Sequence, residues 1–195
     1  ANHDRIAELN LYDGKADRYF SGSPVPLAEE LRTWSLGETE AISSVTYPRE
    51  RPYYVELSPE KTLPYELETI EIDTCYNKIF TQEMVAGHWK MASQSLNSVI
   101  LSQSMAIKIF GNAESAIGKH MTLMRRLNTS PESTPKTGGI VYTIQAVMKD
   151  IPLNNSLDFM QNVDMLTVND SEGLLQSPKR HNMTGANTYV LLSPQ

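Results

Sequence analysis

Residues 97–119 constrain this chain more tightly than any other stretch. Ser98–Leu101 reads as a buried strand. Ser102 follows as an N-cap, its hydroxyl placed to accept from a free N–H of the first helical turn. A helix then runs from Gln103 to Phe110, with Met105/Ile109 and Ala106/Phe110 as i,i+4 pairs facing a core. Gly111 suits the left-handed residue that closes a helix. Glu114–Ile117 is a further short helical turn closed by Gly118, and Met121–Met124 returns as strand. Strand, capped helix and strand in so short a span predict an α+β fold.

The flanks are read the same way. Ile6, Leu9 and Tyr12 fall at helical spacing before Gly14, which predicts a helical lead-in over residues 1–16. Arg18–Phe20 reads as a short strand. Ser23-Pro24-Val25-Pro26 signals a helix entry, because proline is tolerated in the first turn, where N–H groups lack partners. Glu29 and Glu30 sit where the helix dipole favours acids, and Leu27, Leu31 and Trp34 form one apolar face before Gly37. Ile42–Tyr47 is strand-like, and Tyr53, Val55 and Leu57 alternate with more polar neighbours. In Glu68–Thr74, Ile70 and Ile72 share a face while Glu71 and Asp73 take the other, the pattern of a half-buried strand. Cys75 falls in the same extended segment, Ile72–Tyr76. Val141–Met148 is a strand with Tyr142, Ile144, Ala146 and Met148 on one face, ended by Asp150-Ile151-Pro152. Phe159–Leu166 and Thr188–Leu192 complete the strands. Residues 128–139, without an apolar side chain, and residues 169–183 read as polar loops.

Length and composition exclude several classes. A chain of 195 residues holds one domain or two small ones. The formal net charge of −6 repels phosphate backbones, and the densest basic spot, Met124-Arg125-Arg126, is short, so nucleic acid is not an expected partner. A single cysteine, Cys75, builds neither an internal disulfide nor a cysteine-rich metal site. His3, His88, His120 and His181 lack metal-ligand partners at helical or hairpin spacing. Apolar runs are strand-sized, the start is polar and no initiator Met is present. Two expectations fit these ends: a processed or tagged soluble protein, or a segment cut from a larger protein whose membrane spans are absent.

Catalytic signals are missing too. There is no G-x-S-x-G elbow, phosphate-binding loop or dinucleotide fingerprint. Glu29-Glu30 and Glu66/Glu68 are explained by solvated helix and strand faces. The expectation is no catalytic residue, no cofactor and no metal.

Two longer stretches carry a family resemblance. Asn97–Gly111 (NSVILSQSMAIKIFG) followed by Ala116–Leu123 (AIGKHMTL) resembles the periplasmic core domain of MacB/FtsX-family ABC transporter permeases. Tyr142–Pro152 (YTIQAVMKDIP), followed by Asn154–Phe159 (NNSLDF), resembles a second segment of that domain. Ala16–Phe20 resembles its opening strand and Thr188–Leu192 a late one. The chain departs from the family pattern at Gln145-Ala146, where a glycine is usual, and at the long polar loop 128–139. It also stops at Gln195, where relatives continue into a further helix and strand.

The resemblance implies a membrane-proximal, porter-like α/β subdomain at 1–72 plus 159–195 and an inserted Sabre-like α/β subdomain at 73–158. Ser102, Phe110, Gly111, Gly118, Asp150 and Pro152 would be structural signature residues. The implied protein is not an enzyme. It is the periplasmic domain of a bacterial inner-membrane permease, coupling cytoplasmic ATP hydrolysis to periplasmic work or export by mechanotransmission. Its implied partners are a cytoplasmic ATPase reached through flanking membrane helices and a periplasmic adaptor or client, and the isolated domain would be a monomer. Two rivals stand beside it. An extracytoplasmic small-molecule sensor would require a closed pocket with convergent polar groups. A hydrolase would use Cys75 or a serine as nucleophile.

Overall fold

The computed structural model describes residues 3–24, 26–34, 36–58, 60–95, 97–123, 140–151, 160, 162–168 and 184–194. The expected loops at 128–139 and 169–183, together with Pro152 and Phe159, lie outside the described residues. The strands are Ile6–Leu9 (β1), Leu11–Asp13 (β2), Arg18–Phe20 (β3), Ser23–Pro24 (β4), Thr39–Thr46 (β5), Arg49–Ser58 (β6), Lys61–Ile72 (β7), Met84–Gly87 (β8), Ser98–Ser102 (β9), His120–Leu123 (β10), Ile140–Met148 (β11), Met165–Val168 (β12) and Thr184–Leu192 (β13). The helices are Leu27–Thr33 (α1), Tyr76–Ile79 (α2), Trp89–Gln94 (α3) and Gln103–Phe110 (α4), with 3₁₀ turns at His3–Arg5 and Glu114–Ala116. The architecture is mixed α/β, rich in sheet and sparing in helix.

The chain divides into two compact units. Unit 1 takes Ala1–Tyr47, Ile70–Gln82 and Val168–Gln195; unit 2 takes Pro48–Thr69 and Glu83–Thr167. These bounds differ from the expected ones chiefly over residues 48–69. β6 pairs antiparallel with β10, Val55 opposite Met121, and Tyr53, Val55 and Leu67 pack into the core of unit 2.

In unit 1, β13 is the hub. One edge pairs antiparallel with β5, setting Thr188 opposite Ser44 and Val190 opposite Ile42. The other edge takes β1, with Ile6 opposite Leu191, and further along takes β4, with Ser23 opposite Ala186. α1 packs Ala28 and Leu31 against Ile42 and Val190. Phe80, just beyond α2, meets the Tyr189 ring edge-on at 5.0 Å and tilts against Tyr76 at 5.1 Å, a geometry the ring quadrupoles favour. Burial pushes the Tyr189 phenol up to about 12 and raises that of Tyr76 as well. The expected helical lead-in is corrected: residues 6–13 are β1 and β2. Helical spacing at Ile6 and Leu9 is outweighed by a ladder to β13, a partner some 180 positions on that sequence-local reasoning does not see. β2 and β3 form a separate hairpin with Tyr12 opposite Tyr19.

In unit 2 the strand order is β7-β12-β9-β11-β10-β6, and β6 pairs back with β7, so the strands close into a ring. Closure leaves no free edge among these strands. Tyr53, Val55, Leu67, Val99, Leu101, Met121, Tyr142, Ile144 and Met165 form its core, to which α4 adds Met105, Ala106 and Ile109. Burying aliphatic side chains of this size contributes about 1.5–3 kcal/mol each.

β11 carries an irregularity that the sequence pattern did not show. Against β9, Ile144 pairs with Val99 but Ala146 with Ile100, so Gln145 is skipped. A bulge reverses the alternation of side chains. Val147 therefore joins Tyr142 and Ile144 in the core cluster, while Ala146 and Met148, expected on that face, are buried on the other. Gly87 of β8 lies against the bulge at φ +70°, where a Cβ would strike the Gln145 carbonyl and lie 2.8 Å from Ala146 Cα.

Candidate functional site

The signature residues gather at the two ends of α4. Ser102 has extended backbone, and its Oγ accepts from the Met105 N–H at 3.3 Å. The neighbouring N–H of Ser104 donates to Asp150 Oδ1 at 2.9 Å. Two orphan donors of the first turn are thus met by side chains from β9 and from the segment after β11, and the negative charge of Asp150 sits at the favourable end of the helix dipole. Gly111 closes the helix at φ +87°, its N–H donating to the Ile107 carbonyl at 2.9 Å. A side chain there would incur the left-handed penalty of about 1 kcal/mol. Phe110 is half-buried against the core cluster. The Gly118 N–H donates to the Ile144 carbonyl at 2.8 Å, tying the turn before β10 to β11. Each of these polar groups bonds to backbone, and the Ser102 hydroxyl also meets that of Ser104 at 3.4 Å.

A second centre, missed by sequence reasoning, lies in unit 1 around Asp73. Its carboxylate is buried at the end of β7. Oδ1 accepts from Ser43 Oγ at 2.8 Å and from the Cys75 N–H at 3.0 Å. Oδ2 accepts from the Ser44 N–H at 2.9 Å and from Arg32 Nη1 at 3.0 Å. The Arg32 guanidinium also reaches Glu29, one turn back on α1, and the Ile42 carbonyl of β5. Burial works against this cation, but the charge of Asp73 and the hydrogen bonds to Glu29 and Asp73 outweigh it and raise its pKa. Arg32 therefore joins α1, β5 and the residue after β7 in one planar fork, a geometry lysine does not supply.

This arrangement corrects two expectations. Asp73, assigned to a polar strand face, is buried at 5% exposure. Cys75, expected within a strand, sits at the N-terminal boundary of α2 and is half-buried. The available signal was Ser43-Ser44, two hydroxyl residues inside an apolar strand, which implies a buried polar partner.

Beside Asp73 opens a cavity of about 200 Å³, with Leu31, Ala41 and Ile42 on its apolar side and Arg32, Cys75 and Lys78 among its polar lining. Pockets that enclose small organic ligands measure roughly 300–1,000 Å³. Arg32 and Asp73 bond to each other, to Glu29 and Ser43 and to backbone, so the centre ties α1, β5 and the residue after β7 together. Among the described residues, no group of three or more His, Cys, Asp or Glu is placed to hold a metal ion. In unit 2, Asp164 Oδ2 accepts from the Glu68 N–H at 2.9 Å, and burial raises the pKa of both carboxyls; for Glu68, the charges of Glu50 and Asp164 add to the effect.

No protein-family model matches the chain, and no curated protein matches it in sequence. Solved structures do share its fold. A domain of a protein described as a permease, from Porphyromonas gingivalis, superposes with a TM-score of 0.70 at 23% identity, covering 100% of this chain and 77% of that one. The periplasmic region of MacB from Actinobacillus actinomycetemcomitans gives 0.58 at 16% identity, covering 97% and 74%. The extracellular domain of the noncanonic ABC-type transporter YknZ from Gram-positive bacteria gives 0.52 at 12%, covering 97% and 84%. The chain thus has the fold of periplasmic and extracellular domains of permease and ABC-type transporter proteins, and at the level of fold the resemblance carried by residues 97–123 and 142–159 holds. Among the described residues, no helix is long and apolar enough to cross a membrane.

Proposed function

We propose that this chain is the periplasmic domain of a MacB/FtsX-type ABC transporter permease in a bacterial inner membrane, and that it works as a lever. It couples ATP hydrolysis by a cytoplasmic ATPase to periplasmic work or export and catalyses no reaction itself. Unit 1 is its membrane-proximal, porter-like part and unit 2 its inserted, Sabre-like part. The observation that carries this reading is a fold shared with three transporter and permease domains over 97–100% of the chain.

Two features support it. β1 and β13 run antiparallel, and Arg5 donates to the Leu192 carbonyl at 2.8 Å, so residues 5 and 192 are neighbours and chain entering and leaving there runs side by side. Two tethering helices need that arrangement. The signature residues and the Asp73 centre also both lock backbone elements together, as a lever requires. The remaining partners are a periplasmic adaptor or client protein.

The test uses the full-length native protein co-expressed with its ATPase. It should fractionate with the inner membrane, and protease added to spheroplasts should remove this domain. A rigid binding protein raised against unit 1 should then change the ATPase rate of the reconstituted complex. Recovery of the full-length protein in the cytosol refutes the location, and an unchanged ATPase rate refutes the coupling.

A further inference from the structure

We infer that the end of unit 1 carrying Trp34, Leu36 and Leu192 is a lipid-docking face, which rests on the zwitterionic interface of a phospholipid bilayer. The inference builds on the permease reading above and adds a contact that the reading does not require.

Three large apolar side chains are exposed at this end: Trp34 at 64%, Leu36 at 41% and Leu192 at 41%. The hydrogen bonds place Leu36 and Leu192 together. The Leu36 carbonyl accepts from Thr39, Thr39 is the register partner of Leu192, and the Ser193 N–H donates to the Glu38 carbonyl at 2.9 Å. Trp34 caps α1 two residues before Leu36. Arg5 binds both the Leu192 carbonyl and the Glu40 carboxylate, so the chain enters unit 1 at this end as well as leaving it. Tethers attached here would bring this face toward the membrane.

The chemistry favours lipid over water or a charged partner. An exposed tryptophan two residues from an exposed leucine has the composition of an interfacial anchor, whose ring partitions to the headgroup level. Charges of both signs mix at this end: Arg5 pairs with Glu40 at 3.1 Å, Glu38 stands exposed, and Lys78 lines the cavity beside Leu36. Docking should therefore not need anionic lipid. The other exposed aromatic pair, Tyr12 and Tyr19, lies beyond the far end of β1, where Leu9 pairs with Thr188. One tryptophan and two leucines hold a free chain to a membrane only weakly, so the contact depends on the high effective concentration that tethering provides.

The chain's two tryptophans make the test direct, because Trp34 lies in unit 1 and Trp89 in unit 2. The chain is tethered by a C-terminal hexahistidine tag to phosphatidylcholine vesicles containing nickel-chelating lipid. In the Trp89→Phe variant, Trp34 emission should shift to the blue on tethering and be quenched by brominated lipid, with or without phosphatidylserine. In the Trp34→Phe variant, Trp89 should show neither effect. Trp34 emission that stays quenchable by aqueous acrylamide to the same extent, free and tethered, overturns the inference. Equal lipid quenching of both tryptophans overturns it too, since the contact would then not be specific to this face. The tag supplies the tether, so this outcome is independent of the location test on the native protein.

Discussion

Replacing Asp73 by alanine removes the acceptor on which four donors converge, and unit 1 should lose about 4 kcal/mol of stability. The Asp73 side chain is 6% exposed and that of Arg32 22%, so their ion pair counts as largely buried. Breaking such a pair by deleting one partner costs about 3–5 kcal/mol where the other charge is left without compensation, and the low end applies here because Arg32 keeps Glu29. The Ser44 and Cys75 N–H groups also lose their acceptor, at about 1–3 kcal/mol each where water does not reach them. The cavity beside Cys75 admits water and trims that part. Arg32→Met should cost less, about 2 kcal/mol, since Asp73 keeps three neutral donors. The double variant should cost about as much as Asp73→Ala alone, because neither charge of the Arg32–Asp73 pair remains, which gives a coupling of about 2 kcal/mol. Urea unfolding in a Trp89→Phe background measures this, with Trp34 reporting unit 1 separately from any independent transition of unit 2. A loss below about 1 kcal/mol for Asp73→Ala, or strict additivity of the two substitutions, would refute the reasoning.

Gly87→Ala should cost about 3 kcal/mol or more, because it adds a positive-φ penalty to a clash with the backbone of Gln145 and Ala146; thermal unfolding reads it. Ser102→Ala should cost about 1 kcal/mol and not more, since Asp150 still holds the Ser104 N–H, and chemical denaturation distinguishes these outcomes. Glu68→Gln should stabilise the chain at pH 7 and bring no gain near pH 4. A carboxyl whose folded pKa is raised contributes its stability below its unfolded pKa and loses it as pH rises through the folded one, so removing the charge helps only at the higher pH. The same sign applies to Tyr76 and Tyr189: stability should fall as pH climbs from about 10, where the unfolded phenols ionise, and go on falling until Tyr189 ionises at about 12 in the folded state. Absorbance titration of native against urea-unfolded protein checks it.

What could be read from the sequence was what is encoded locally. Ser102, the pairs on α4 and Gly111 act within a few residues of one another, and their pattern is visible in a single stretch of chain. β5, β10, β11 and β13 were found from apolar runs that their burial explains. The errors fall where a distant partner decides. β1 lies on β13. Hairpin 48–69 belongs with β10 rather than with its sequence neighbours. The bulge at Gln145 is set by how β11 meets β9 and β8. The resemblance noted a missing glycine at Gln145-Ala146; here the close approach is made by Gly87, on the facing strand.

The Asp73 centre shows why a site of this kind escapes motif reading. Its donors come from positions 41, 30, 29 and 2 residues away, and no two of the distant ones fall at a spacing that chemistry imposes. A catalytic or metal site repeats because a reaction fixes its geometry, whereas a joint has only to connect the elements present. The proposed lever reading gives such a joint a use. On that reading, load entering unit 1 through residues 5 and 192 would pass along β1 and β13 to β5, which Arg32 with Asp73 binds to α1 and to the residue after β7. A lever that loses this connection should lose stiffness before it loses its fold. Arg32→Met, the milder substitution, should therefore weaken the ATPase response to a unit 1 binder in the full-length permease while unit 1 remains folded, and an undiminished response would place the load path elsewhere.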